Sequence, residues 1–276
     1  MTEADPLPGI ERLSLNQITL NNLTLKECAG LCVKHGIRWM APWRHRVQEI
    51  GVAESSRILR ESGLGVSSLC RGGFFPASTP AERLARIDDN RRAIDEAAEL
   101  GALSLVLVCG PAPDRDIDSA RAMVADGIAA ILPHARERGV RLGIEPLHPM
   151  YAADRSVIVT LAEALDLALQ FEPAHAGVVI DVFHVWWDPR LYEDIRRASG
   201  RILSYHVSDW AVPLPGILTG RSMMGDGVIQ LRRIRKAVEE SGYGGPIEVE
   251  ILNQALWDRA PDCVLQETMQ RYLDFV

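Results

Sequence analysis

Long apolar runs are missing from this chain. The longest reach five residues, as at 105–109, against the roughly 20 that a membrane helix needs. No membrane span is expected. The segment Thr2-Glu3-Ala4-Asp5 offers neither a basic n-region nor an apolar h-region, so a secretory leader is not expected and a cytoplasmic location is. Basic charge is short as well. Thirty Lys and Arg face 37 Asp and Glu, a formal net charge of −7, whereas a nucleic-acid binder carries a basic footprint. Cysteine is sparse: five scattered residues, with Cys28 and Cys32 four apart on a predicted helix and too few for a zinc site. Reduced thiols are expected, buried at Cys70 and Cys109. A Gly-rich phosphate turn after an early strand is also lacking, since Gly72-Gly73 is a plain turn. That counts against a doubly wound open sheet.

What is present is apolar material in short pieces, 47% of 276 residues. A (β/α)₈ barrel takes about 250 residues, so the length fits one. Predicted strands fall at 14–20, 38–40, 66–71, 104–108, 141–145, 176–181, 202–208 and 246–252. Predicted helices lie between and after them, at 25–35, 52–61, 80–100, 119–138, 160–169, 191–199, 231–241 and 262–275. Strict alternation of strand and helix predicts an α/β fold, a parallel eight-stranded TIM barrel with outer helices. Residues 13–276 form its single domain, and residues 1–12 read as a loose, flexible tail.

In such a barrel, chemistry sits at the C-terminal ends of the strands. Four consecutive strands end in acid or imidazole: Ile144-Glu145-Pro146-Leu147-His148, Ile180-Asp181-Val182-Phe183-His184, Tyr205-His206-Val207-Ser208-Asp209 and Glu248-Val249-Glu250. A carboxylate buried there without compensation costs several kcal/mol. Three in one ring raise one another's pKa unless a cation intervenes. Ion pairs with Arg or Lys account for one such residue. Four in register point instead to a divalent metal ion held by Glu145, Asp181, His206 and Glu250. Oxygen donors with one imidazole suit Mn²⁺, Mg²⁺ or Co²⁺ better than a thiolate-type zinc site, with Zn²⁺ as an alternative. Period-two alternation puts Glu248 on the same face as Glu250, one layer deeper, as a partner for another interior polar group.

Other candidates follow the same strand ends. His148 titrates near neutrality and is a candidate base; the competing reading is a loop histidine bonded to backbone. His184 either meets substrate or packs beside Trp186-Trp187. Asp209 orients His206, contacts substrate or caps its strand. Trp43, Phe74, Phe75, Trp186, Trp187 and Trp210 offer rings for the C–H faces of a sugar, or pack the barrel rim. The Pro- and Gly-rich stretch 210–225 reads as a substrate loop, with Arg221 as a ligand for an oxyanion. Arg44 and His45 read as surface residues.

These endings resemble the xylose isomerase-like TIM-barrel superfamily, which includes sugar isomerases and epimerases, inosose dehydratase, hydroxypyruvate isomerase, endonuclease IV and the α-subunits of C-glycoside deglycosidases. The likeness runs from residue 14 to the end. It is carried by Glu145-Pro146-Leu147, Asp181-Val182-Phe183-His184, His206-Val207-Ser208-Asp209, Gly225-Asp226-Gly227-Val228-Ile229 and Glu248-Val249-Glu250. The resemblance implies that Glu145, Asp181, His206 and Glu250 hold one ion, usually Mn²⁺. It implies that Glu145 and Glu250 move protons on opposite faces of the substrate, and that His184 touches a substrate oxygen. Ketohexose epimerases carry Asn, Glu and Arg where this chain has His148, Tyr151 and Val212. His148-Pro149-Met150-Tyr151 is similar instead to the C-glycoside deglycosidase α-subunits and related enzymes on 3-keto-glycosides.

The expected activity is metal-assisted enolisation of a sugar or keto-sugar, with Glu145, His148 and Glu250 as catalytic groups. His184, Trp187, Asp209, Trp210 and Arg221 are the expected substrate contacts. Reprotonation gives isomerisation or epimerisation; expulsion of a β-substituent gives elimination, as in a lyase on 3-keto-glycosides. A non-catalytic barrel subunit and an endonuclease IV-like repair enzyme rank below both. The expected partners are a small sugar or keto-glycoside and either further copies of the chain or a small β subunit, with no nucleic acid and no membrane.

Overall fold

The computed structural model describes residues 9–276. Its strands are β1 (Leu13–Asn16), β2 (Trp39–Ala41), β3 (Gly65–Val66), β4 (Leu69–Gly73), β5 (Leu105–Val108), β6 (Leu142–Glu145), β7 (Ala176–Asp181), β8 (Ile202–Val207), β9 (Asp209–Trp210), β10 (Arg221–Ser222) and β11 (Ile247–Val249). Nine of them form one parallel sheet in the order β3-β2-β1-β11-β8-β7-β6-β5-β4, and β9 pairs with β10 as a separate antiparallel ribbon. The sheet curls into a nearly closed TIM barrel with helices outside.

The third predicted strand is two pieces, which is why nine strands fill eight positions. β3 pairs with β2 and β4 with β5, so the chain changes neighbour between them. Ser67, at the change, turns its hydroxyl to within 2.7 Å of Ser14 Oγ. A parallel bridge between Trp43 and Cys70 carries the seam. The first predicted strand also stops early. Asn16 Oδ1 accepts from Ile18 N, and Gln17–Leu20 coil into a 3₁₀ turn.

The helices are α1 (Leu25–Lys34), α2 (Arg44–Ile50), α3 (Val52–Glu61), α4 (Pro80–Leu100), α5 (Ile117–Arg138), α6 (Leu161–Ala168), α7 (Val182–Val185), α8 (Leu191–Arg197), α9 (Leu231–Glu240), α10 (Gln254–Trp257) and α11 (Pro261–Phe275). Eight match predicted ones; α2, α7 and α10 are short additions after strand ends. Capping boxes start α1, α4 and α6, in which Thr24, Thr79 and Thr160 exchange bonds with Glu27, Glu82 and Glu163. Such an N-cap is worth about 1 kcal/mol. Gly139 ends α5 at φ 69°, a left-handed conformation in which a β-carbon is strained. No helix among the described residues is long and apolar enough to cross a membrane.

Alternation along the strands separates two environments. Leu105, Leu107, Leu142, Ile144, Val178 and Ile180 join Ala93, Ile94, Val124 and Ile128 in the apolar layer between barrel and helices. Each buried Leu or Ile there contributes roughly 1.5–3 kcal/mol. With stability supplied outside, the interior face carries polar groups: Ser14, Asn16, Asp181, Ser204, His206 and Glu248, all buried.

Of the tail expected over 1–12, residues 1–8 lie outside the described residues. The remainder corrects the expectation. Ile10 is buried in the core, and Arg12 donates to Gly245 O at 2.8 Å and pairs with Glu239. The barrel floor therefore begins at least as early as residue 10.

Candidate metal centre

The register of the barrel assembles the site. Asp181 pairs with His206 across β7 and β8, and His206 with Glu248 across β8 and β11. Glu145 ends β6, and Glu250 follows β11 two residues above Glu248 on the same face. Glu145, Asp181, His206 and Glu250 each offer one ligand atom, and these atoms all lie within 4.8 Å of one another. The four groups that sequence analysis singled out are thus brought together, and they can hold a metal ion.

The imidazole of His206 shows whether a cation fits. Its Nε2 lies 3.2 Å from Glu248 Oε2 and 3.0 Å from Ser204 Oγ. Its Nδ1 is buried, has no hydrogen-bond partner, and stands 3.6 Å from both Glu145 Oε1 and Glu250 Oε2. That spacing is too long for hydrogen bonds. A proton on Nε2, held by Glu248, leaves the Nδ1 lone pair aimed among carboxylate oxygens, as a metal ligand requires.

Charge leads to the same place. Burial pushes the Glu145 carboxyl up to about 8, against the pull of His206 and with Glu250 and Asp181 adding to the push. Burial draws His206 down, yet Glu248, Glu250 and Glu145 outweigh it and lift the imidazole to about 10. Both shifts follow from burial and from carboxylates crowded together, the condition that a cation at the cluster relieves. Glu250 is the exception: despite its burial, Arg221 and His206 hold it down to about 2.

Arg221 is more deeply placed than a loop ligand. Its Nη1 donates to Asp181 Oδ2 at 2.6 Å, Glu250 Oε2 at 3.1 Å and Glu250 O at 3.2 Å. Its Nη2 donates to His184 Nε2 at 3.2 Å, and burial holds His184 neutral, down to about 3. Three ligand carboxylates outnumber the one guanidinium bonded to them, an acidic excess that a divalent ion can neutralise.

Above these groups opens a cavity of about 560 Å³, its mouth included, lined by Glu145, Glu250, His184, Arg221, Tyr151 and Trp43, with Arg71, Arg155 and Leu218 toward the rim. Other expected site residues lie elsewhere. His148 is held by its own loop and by neighbouring rings. Its Nδ1 accepts from Met150 N at 3.2 Å, and its ring packs against Trp187 and Trp210 at centroid distances of 5.6 and 4.9 Å. It does not line the cavity. Trp187, bonded to His184 O, and Trp210, packed on Phe183, support the rim and are not cavity walls. Asp209 bonds to backbone. Its carboxylate accepts from the backbone of Trp210, Gly225 and Ile229 and so clamps the loop that delivers Arg221. Gly227 is needed there, since a β-carbon would lie 2.4 Å from Asp209 Oδ1.

Sequence reasoning missed Asn16, Arg71 and Arg155. The Asn16 amide reaches Glu248 Oε2 at 3.3 Å and Glu250 Oε1 at 3.2 Å, and Trp43 Nε1 donates to its Oδ1 at 2.7 Å. Asn16 and Arg71 were visible as polar residues near strand ends. Nothing in the sequence marked Arg155.

A family model described as xylose isomerase-like TIM barrel matches residues 29–273. The chain is 31% identical over 184 residues to the 3-dehydroshikimate dehydratase of Pseudomonas aeruginosa, covering 62% of this chain and 27% of that one. It thus spans about a quarter of the length of the dehydratases it matches. It is 24% identical over 252 residues to the inosose isomerase of Bacillus velezensis, covering 87% and 88% of the two chains. A solved structure from Sinorhizobium meliloti 1021 superposes with a TM-score of 0.94 at 51% identity over 96% of this chain and 98% of that one. The IolI protein with a bound zinc superposes at 0.84 and 18% identity over 96% and 98%.

Proposed function

The chain belongs to the xylose isomerase-like TIM-barrel family, and from that premise we propose that it is a divalent-metal-dependent enzyme that enolises a small sugar or keto-sugar. One observation carries the reading: the buried, unpartnered Nδ1 of His206 aimed among Glu145, Asp181 and Glu250. The relatives, an inosose isomerase and a dehydratase, support an enzyme acting on a small molecule. The zinc of IolI supports a divalent ion, and the oxygen-rich donor set favours Mn²⁺.

Glu145, Asp181, His206 and Glu250 would hold the ion, which when bound would supply Lewis acidity toward a substrate carbonyl. The chain's own residues do the rest. Glu145 and Glu250 line the cavity from different strands and move protons at the carbon beside that carbonyl. Arg221, fixed by Asp181 and Glu250, presents its positive charge to the oxygen that becomes anionic. His184, kept neutral by burial, contacts a substrate hydroxyl. Tyr151, whose hydroxyl donates to Ile217 O, helps close the cavity against water. A second reading, elimination of a β-hydroxyl or a β-glycosidic group after the same proton abstraction, is favoured by the dehydratase relative.

Deuterium exchange tests the shared step. The full chain with Mn²⁺ is incubated in D₂O with ketoses and 3-keto-glucosides and followed by NMR. Label is expected at the carbon beside the carbonyl, with exchange reduced at least about 100-fold in Glu145→Gln and Glu250→Gln. A new sugar marks isomerisation; released aglycone or an unsaturated ketone marks elimination. Exchange that is as fast in both variants as in the parent sinks the assignment.

A further inference from the structure

Two arginines in the cavity wall, Arg71 and Arg155, take no part in the acidic cluster described above. Arg221 has two carboxylate partners. Arg44, next to the mouth, has Asp89 and Glu96. Arg71 and Arg155 line the same cavity and are not matched in this way. Among the described residues Arg71 forms no salt bridge; its guanidinium lies over the Phe74 ring, 3.9 Å from the centroid. The carboxylate nearest Arg155 is that of its chain neighbour Asp154, at 3.7 Å, and Arg155 Nε is buried without a hydrogen-bond partner.

Their positions are adjacent. Arg71 lies on β4, and Arg155 is held above β5 by the bond from Gly110 N to Arg155 O at 2.9 Å. Burial holds the Arg71 guanidinium below its usual range, with Arg155 and Arg44 adding to that effect. Arg71 is largely buried with no carboxylate partner, and the more open Arg155 has only Asp154 at 3.7 Å, so positive charge at this wall is poorly compensated and costly to hold. An anion between them removes the cost, and the planar guanidinium fork matches a carboxylate or a phosphate.

We infer that the substrate is acidic: its carboxylate or phosphate is gripped by Arg71 and Arg155 on the β4–β5 side of the mouth while its carbonyl end meets Glu145, Glu250 and Arg221. The inference rests on the enolising reading of this cavity and names its substrate class. Arg71 and Arg155 become specificity-determining residues.

Calorimetric titration of the metal-loaded full chain with D-glucose, D-glucuronate and D-glucose 6-phosphate tests it. At least one acid is expected to bind about tenfold or more tighter than glucose. The glucuronate arm identifies a carboxylate site and the phosphate arm a phosphate site. Arg71→Gln and Arg155→Gln should each remove most of that advantage, leave metal content unchanged and not lower the thermal midpoint. Arg71→Lys, which keeps the charge but loses the fork, should retain part of it. Failure of both acids to bind better than glucose overturns the inference, as does an advantage that survives in the double variant. Acid preference without deuterium exchange refutes enolisation and leaves the acidic class standing. Exchange on neutral sugars with no acid preference does the reverse.

Discussion

His206 offers Nδ1 to a cation only while its proton stays on Nε2, and Glu248 is the residue that keeps it there, at 3.2 Å. Outer partners of metal-bound histidines typically govern about 10–100-fold in metal affinity. Glu248→Gln is therefore expected to weaken Mn²⁺ binding by about that factor, read by competition with a chelating dye, with the fold intact. Unchanged affinity would refute the orienting role. Much of this was legible. Period-two alternation put Glu248 beneath Glu250 on one face, and strand ends marked all four members of the cluster. Asp209 and His148 were harder. Both also follow strand ends, but Gly225 and Ile229, 16 and 20 residues on, claim the first. Trp187 and Trp210 enclose the second. A strand's periodicity says which way a side chain points; a loop side chain points wherever distant contacts hold it.

Arg44, at the start of α2, ties that short helix to α4 through Glu96 Oε2 at 2.6 Å and Asp89 Oδ2 at 3.1 Å. Arg44→Met should cost about 1–2 kcal/mol by urea unfolding near neutrality, a value discounted because Asp89 is half exposed. Burial disfavours the ionised Asp89, but Arg44 outweighs it and holds the pKa below 3.8. A carboxylate depressed in this way stabilises the fold above its unfolded pKa and loses that contribution as pH falls through the folded one. The gap between parent and variant should narrow below about pH 3.8. A gap that stays constant with acid would mean that packing, not charge, supplies it. The sequence suggested a surface arginine, since partners 45 and 52 residues away leave no local mark. The same limit applies to the β3–β4 break: a change of strand neighbour is decided by barrel closure, not by local propensity.

The proposed ligands come from β6, β7, β8 and the end of β11, so an ion among them would tie four consecutive strands of the barrel together. The unfolded chain lacks that arrangement. An ion at 100 times its Kd should therefore stabilise the fold by about 2.7 kcal/mol. For a domain of this size that is about 5–10 °C in Tm. Scanning calorimetry with Mn²⁺ and with a chelator should show the difference, and His206→Ala should abolish it. An equal Tm in both conditions would count against the centre.

Alternation of short apolar segments with amphipathic ones was enough to specify a barrel, because helices and strands bury apolar faces by local period. It was enough to place the acids and the imidazole too, because a strand's end and its inner face are both countable along the chain. Which charges those groups would meet was left to the folded molecule. Arg221 reaches Asp181 and Glu250 only because a clamped loop folds back over the mouth, and Arg71 and Arg155 share one cavity only because β4 and the segment after β6 converge on β5. Electrostatic neighbours are set by distances through space, and the chain's order does not contain them.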